Sequence, residues 1–275
     1  MIKDNIDNGK LLLRHADEIR KNIITMAYEA SSAHMGGCLS CVDLLVVLYF
    51  SIMKINPKDP LGSGRDRFVF SKAHASKAFY ATLARRGYFN KEILSKYEKN
   101  EGLPGHPTRY ILPGVETSGG SLGHGLSIAA GMAYAGKVDN KSYRVFAMLS
   151  DGECDEGSTW EAILFAGHHK LSNLVVVIDY NKIQSYGRTK EVLDLEPFRQ
   201  KWEAFGWEVC EVDGHNIGKI EKAFKKLLLK KGKPSVLIAH TIKGYKGVGK
   251  YVNTIASHYK SPTKEEYEEA IKNLS

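Results

Sequence analysis

Short apolar runs alternating with stretches of helical spacing constrain this chain more than any other feature. Runs at 67–70, 144–149, 174–179, 207–212 and 235–239 have the length of buried strands, and four of the five are rich in Val and Ile or aromatic residues. Helical patterns separate them at 76–86, 123–137, 157–170, 195–205 and 218–230. Two more precede the first strand, one at 40–52 and one at 10–30 with Leu12, Leu13, Ala16, Ile19, Ile23 and Ile24 near one face. This order predicts an α/β fold, a parallel β-sheet with helices on both faces, as a single domain over 1–275 with a helical N-terminal segment. Ligands of such sheets bind beyond the carboxyl ends of the strands. The chemistry is therefore expected in the residues just after each strand.

Composition removes other classes. With 43% hydrophobic and 25% charged residues in 275 positions, the chain can bury a core without covalent staples. Its longest apolar run, 44–50, is well short of the roughly 18 residues of a membrane span. The first ten residues, MIKDNIDNGK, lack the apolar centre of a signal peptide. A soluble cytoplasmic protein with no membrane partner is expected. The net charge of +8 comes mostly from lysines on predicted helix surfaces, densest over 219–250, and reads as solvated faces. No nucleic-acid-binding motif accompanies it, so no nucleic-acid partner is expected, and an anionic small substrate or an acidic protein partner fits the charge at least as well. Cys38, Cys41, Cys154 and Cys210 read as reduced, packed thiols, because the C-x-x-C at 38–41 has no second ligand pair.

Two turns carry the candidate chemistry. After YRVFAML comes Ser150-Asp151-Gly152-Glu153, and after LVVVI comes Asp179-Tyr180-Asn181-Lys182-Ile183. Neighbouring parallel strands would bring the side chains of Asp151 and Asn181 together. With one backbone carbonyl they supply three hard oxygen ligands, which suits Mg²⁺ completed by water and phosphate oxygens. Gly152 leaves room for a phosphate to meet a backbone N–H. The same residues are also compatible with two ordinary turns, which favour Asp-Gly and Asn.

The stretch SDGECDEGSTWEAILFAGHHKLSNLVVVIDYNKIQ resembles the thiamine-diphosphate motif, and closely that of transketolases. Further segments match that family in order: SSAHMGGCLS, FSKAHASKAFY, LPGHPT, PGVETSGGSLGHGLSIAAGMA, VDGH, AHTIKG and SHYKSP. The resemblance covers nearly the whole chain. It implies that Asp151, Asn181 and the Ile183 carbonyl ligate Mg²⁺ or Ca²⁺, bridging to the diphosphate of thiamine diphosphate. Gly152, with Glu153 in the same turn, belongs to the cofactor-binding set. His74 and His258 match histidines beside the diphosphate and reactive ring, while His34 and His106 match histidines that bind the sugar. Gly120 and Leu122 match walls of the cofactor site. Glu156 and Glu161 match acids of a carboxylate network buried near a subunit interface, Glu156 counting among the catalytic residues. His215 and His240 read as loop-shaping, and His168 and His169 as packing or surface residues.

Ser150, Met35 and Tyr259 depart from the family, which usually has glycine, proline and glycine there. These departures touch sugar specificity more than the cofactor. The resemblance reaches only the first of three transketolase domains. It implies the N-terminal subunit of a split transketolase, moving a two-carbon ketol unit from a ketose to an aldose. The glutamate that activates the cofactor would come from a separate C-terminal subunit, two copies of each chain assembling. Other readings compete. They are a transketolase-like enzyme of unusual-sugar or surface-polysaccharide synthesis, a deoxyxylulose-phosphate synthase fragment, a 2-oxoacid dehydrogenase α subunit, and a non-catalytic regulatory subunit.

Overall fold

The structure is a computed structural model that describes residues 2–230 and 232–274, with side chains from Asn8 onward. Five strands form one sheet: β1 (Arg67–Phe70), β2 (Val145–Ser150), β3 (Leu174–Tyr180), β4 (Glu208–Asp213) and β5 (Ser235–His240). Their order is β1-β2-β3-β5-β4 and every pairing is parallel. Each strand lies within a residue or so of its predicted place. The central strands β2 and β3 are buried along their whole length, which is why they read as continuous apolar runs.

Strand alternation sends side chains to two cores. Phe68, Phe70, Phe146, Met148, Val175, Val177 and Leu237 face one, with α1 (Ile2–Glu29), α4 (Ser76–Arg86) and α9 (Ile217–Leu228). Val69, Ala147, Leu149, Val176 and Ile178 face the other, with α5 (Gly125–Val138), α6 (Gly157–His168) and α8 (Phe198–Ala204). Helices on both faces are thus found as predicted. The basic stretch also behaves as read: α9 buries Ile217, Ile220, Phe224 and Leu227 and exposes Lys219, Lys222, Lys225 and Lys226.

Three local readings need correction. The single helix predicted at 40–52 is α2 (Met35–Ser40), α3 (Val42–Val47) and a wider turn at Leu48–Ile52, broken at Cys41. All of Val42–Val47 is buried, so this segment lacks the polar stripe that would have marked its phase. The helix predicted from 195 begins at Phe198, because Pro197 disfavours helical geometry in the residue before it. In α1, Leu13 points to solvent, while Leu12, Ala16, Ile19, Ile23 and Ile24 are buried. Short helices complete the chain at α7 (Thr189–Val192) and α10 (Ala256–Tyr259), followed by α11 (Lys264–Asn273). Cys38, Cys41 and Cys154 are buried free thiols and Cys210 is a half-buried one; burial pushes Cys41 up to about 12. Among the described residues, no helix is long and apolar enough to cross a membrane.

Candidate active site at the carboxyl edge of the sheet

Adjacent strands β2 and β3 run in register, with Ser150 opposite Asp179, so their following turns stand side by side. Asp151 is 2% exposed; its Oδ1 accepts the Gly152 N–H at 2.8 Å and its Oδ2 accepts the Lys182 N–H. Asn181 Oδ1 accepts the Ile183 N–H at 3.1 Å. Lys182 between them takes a left-handed backbone, φ 65°, which bends the chain back toward Asp151. Asp151, Gly152, Asn181 and Ile183 all line one cavity of about 280 Å³.

The same cavity gathers residues from widely separated parts of the chain: His34, His74, His106, Gly120, Leu122 and His258. A larger cavity of about 440 Å³, walled by Arg65, Arg109 and Tyr143, contains no histidine. The His34 ring centroid is 4.7 Å from that of His258, 5.7 Å from that of His74 and 6.5 Å from that of His106. His34 takes a left-handed conformation, φ 67°, and its N–H donates to the His258 carbonyl at 2.7 Å. Burial, reinforced by Lys77, pushes the His34 imidazole down to about 4. Burial and then Lys243 push His258 down to about 3, and burial with Lys72 holds His74 well below its usual value. Those three rings are neutral near pH 7, each with one N–H donor and one acceptor nitrogen.

Three expected acids stand elsewhere. Glu153 is wholly buried and does not line the cavity. Its Oε1 accepts the Ser71 hydroxyl and the Gly123 N–H, propping the loop that carries Gly120 and Leu122, and its Oε2 has no hydrogen-bond partner among the described residues. Glu156 is exposed just ahead of α6, and Glu161 is exposed on it, so neither lies in a buried network within this chain. Next to them on α5 and α6, Ile128, Tyr134, Leu164 and Phe165 are exposed as well.

Sequence reasoning assigned no role to Lys72, Asp179 or Lys243. Lys72 pairs with Asp179 with neither side chain exposed, and Asp179 also accepts the hydroxyls of Ser40 and Thr241. Lys243 Nζ donates to the Ile183 carbonyl at 2.8 Å and lies 3.4 Å from His258 Nδ1; burial pushes it down to about 8. Both lysines occur in matched segments, FSKAHAS and AHTIKG, which were the available signal.

The donor set suits a hard divalent cation. Burial, then the charge of Asp179, pushes the Asp151 carboxyl up to about 7, so a cation beside it would relieve a desolvated acid. Asn181 Oδ1 and the Ile183 carbonyl add two uncharged oxygens at the same turn. Among the described residues, no group of three His, Cys, Asp or Glu stands ready to hold a metal. Any site here is thus built on one carboxylate with amide and carbonyl oxygens. At Gly120 an added Cβ would meet nothing, which leaves that wall open to a ligand.

Comparison with known proteins identifies the family of the chain as a whole. The family described as "Transketolase, thiamine diphosphate binding domain" matches residues 13–274. One of the subunits of the apulose-4-phosphate transketolase from Phocaeicola vulgatus is 43% identical over 262 residues, covering 94% of this chain and 92% of that protein. The 6-deoxy-6-sulfo-D-fructose transketolase subunit SqwG of a Clostridium species is 40% identical over 264 residues, covering 96% of each. The crystal structure of transketolase from Campylobacter jejuni superposes with a TM-score of 0.90 at 31% identity, covering 96% of this chain and 43% of that one. The chain therefore spans about two fifths of the length of such solved transketolases.

Proposed function

This chain belongs to the transketolase family, as its thiamine-diphosphate-binding domain, and from that premise we propose that it is the N-terminal subunit of a split transketolase. The whole chain would be one diphosphate-binding domain with a helical N-terminal segment. It would transfer a two-carbon ketol unit from a ketose or ketose phosphate to an aldose, in the cytoplasm. The observation that carries this reading is the convergence of four histidines with Asp151, Asn181 and Ile183 in one cavity.

When bound, thiamine diphosphate would supply a nucleophilic ring carbon and a cationic ring that serves as electron sink for carbon–carbon cleavage. Asp151, Asn181 and the Ile183 carbonyl would hold Mg²⁺, or Ca²⁺, against the diphosphate. The Gly152 N–H and the Lys243 ammonium would contact phosphate oxygens. Gly120 and Leu122 would wall the cofactor, with Glu153 fixing their loop through Gly123. His74 and His258 would stand by the cofactor, and His34 and His106 would bind the sugar's carbonyl and hydroxyls. The neutral imidazoles of His34, His74 and His258 suit that work, because each offers one N–H donor and one acceptor nitrogen to hydroxyls and carbonyls.

A partner subunit would supply the remaining groups, most simply as two copies of each chain. Relatives of this chain's length are named as subunits, whereas solved transketolases are more than twice as long. The exposed apolar side chains of α5 and α6, flanked by Glu156 and Glu161, offer such a partner a surface. The deciding experiment mixes the chain with its candidate partner, thiamine diphosphate and Mg²⁺, and follows ketol transfer. Substantial turnover by the chain alone would overturn the split reading.

A second reading concerns the sugar. Where the family usually has glycine, the Tyr259 ring stands 4.9 Å from that of His258 and its hydroxyl donates to the Ser185 carbonyl at 3.0 Å. This favours an atypical ketose, and a panel of donors that includes fructose 6-phosphate would separate the two.

A further inference from the structure

His215 lies in the turn after β4, outside the cavity, yet it reaches the segment that delivers Lys243 into it. Its Nε2 stands 2.8 Å from the Ile242 backbone nitrogen. A backbone amide can only donate, so Nε2 carries the lone pair and the ring proton is on Nδ1. Nδ1 in turn faces Asp43 Oδ2 at 2.9 Å. Asp43 is 2% exposed and accepts from Arg20 Nη2 at 2.6 Å; both Arg20 and His215 hold its carboxyl below the usual range against the opposing effect of burial. The His215 ring also stacks on Tyr245, centroids 3.6 Å apart at 20°. Between these two anchors, the Gly244 N–H donates to the Gly36 carbonyl at 2.9 Å.

We infer that His215, oriented by the Asp43–Arg20 pair, is a positioning residue that sets the backbone of 242–245 and thereby the reach of Lys243 toward the Ile183 carbonyl. A lysine has four side-chain torsions, so the placement of its Cα decides which atoms its ammonium can meet. Groups one step removed from a ligand commonly matter in this way, because they fix the orientation of those that touch it. The inference deepens the proposed diphosphate site and rests on that reading.

Three variants of the full chain test it. His215→Phe keeps the stack on Tyr245 and removes both ring nitrogens. His215→Gln presents an acceptor to Ile242 and a donor to Asp43. Lys243→Met removes the group being positioned. Calorimetry with thiamine diphosphate and Mg²⁺, performed with the partner subunit present, should show about 10–100-fold weaker binding for His215→Phe, and most of the loss restored in His215→Gln. In a Lys243→Met background the His215→Phe change should add almost nothing, as coupled residues require. Nitrogen-15 NMR of the histidines should find the Nδ1–H tautomer, and Ile242 amide exchange should quicken in His215→Phe. The inference is overturned by an Nε2–H tautomer, by unchanged Ile242 exchange, or by an equal loss in both backgrounds. Failure of the wild-type chain to bind the cofactor even with the partner subunit present would instead overturn the diphosphate reading, while tautomer and exchange still decide the tether.

Discussion

Lys72 and Asp179 form an ion pair from which water is wholly excluded, and it ties the segment after β1 to the end of β3. The same carboxylate takes hydroxyls from Ser40 in α2 and Thr241 after β5, and Lys72 also donates to the Gly37 carbonyl at 2.8 Å. Four segments therefore meet on one buried charge, two residues before Asn181.

Removing only the cation strands that charge. Lys72→Met should cost about 3–5 kcal/mol of unfolding free energy, read by urea titration. The double variant Lys72→Met with Asp179→Leu should recover part of the loss.

Asp151 is the single carboxylate among the proposed metal ligands. Asp151→Ala should abolish metal-dependent thiamine-diphosphate binding in calorimetry performed with the partner present. Retained wild-type affinity would remove the metal site from the account.

Acid should weaken the fold through the half-buried histidines of the cavity. His34 is pushed down to about 4, below its unfolded value of about 6.5. Its contribution is therefore intact above pH 6.5 and lost as pH falls toward 4, where the unfolded chain binds the extra proton. Asp151, pushed up to about 7, acts in the opposite direction, so the comparison between variants carries the test. His34→Asn keeps a residue tolerant of the left-handed backbone. Its melting temperature should fall less steeply than wild type between pH 6.5 and 4.

At Gly36 a Cβ would lie 2.2 Å from Ser257 Oγ and 2.6 Å from Ser257 Cβ. Gly36→Ala should destabilise the chain by about 1–3 kcal/mol through overpacking and push the His258 segment outward. Ser257→Gly should rescue it, as thermal melts would show.

Leu164 is 56% exposed on α6. Leu164→Arg should change stability by no more than about 0.5 kcal/mol and abolish co-elution with the partner subunit on size exclusion.

Local pattern carried most of the architecture. Strand positions, the parallel sheet and the turns bearing Asp151 and Asn181 follow from short apolar runs ending in polar clusters, because burial on both faces leaves a mark on consecutive residues. The histidines that line the cavity lie in segments whose order already resembled one family. Phase was lost where a segment is buried all round, as at Val42–Val47, since no polar stripe records the break at Cys41.

What the sequence alone could not determine is which distant groups meet. The pairing of Lys72 with Asp179, the Lys243 ammonium on the Ile183 carbonyl, and the link from Arg20 through Asp43 and His215 to Ile242 each join residues from different elements. Only the strand order β1-β2-β3-β5-β4 brings those elements together. The outward exposure of Glu156 and the inward support by Glu153 were decided there too, because two acids three residues apart look alike until one is packed inside the turn after β2 and the other is left outside, just ahead of α6.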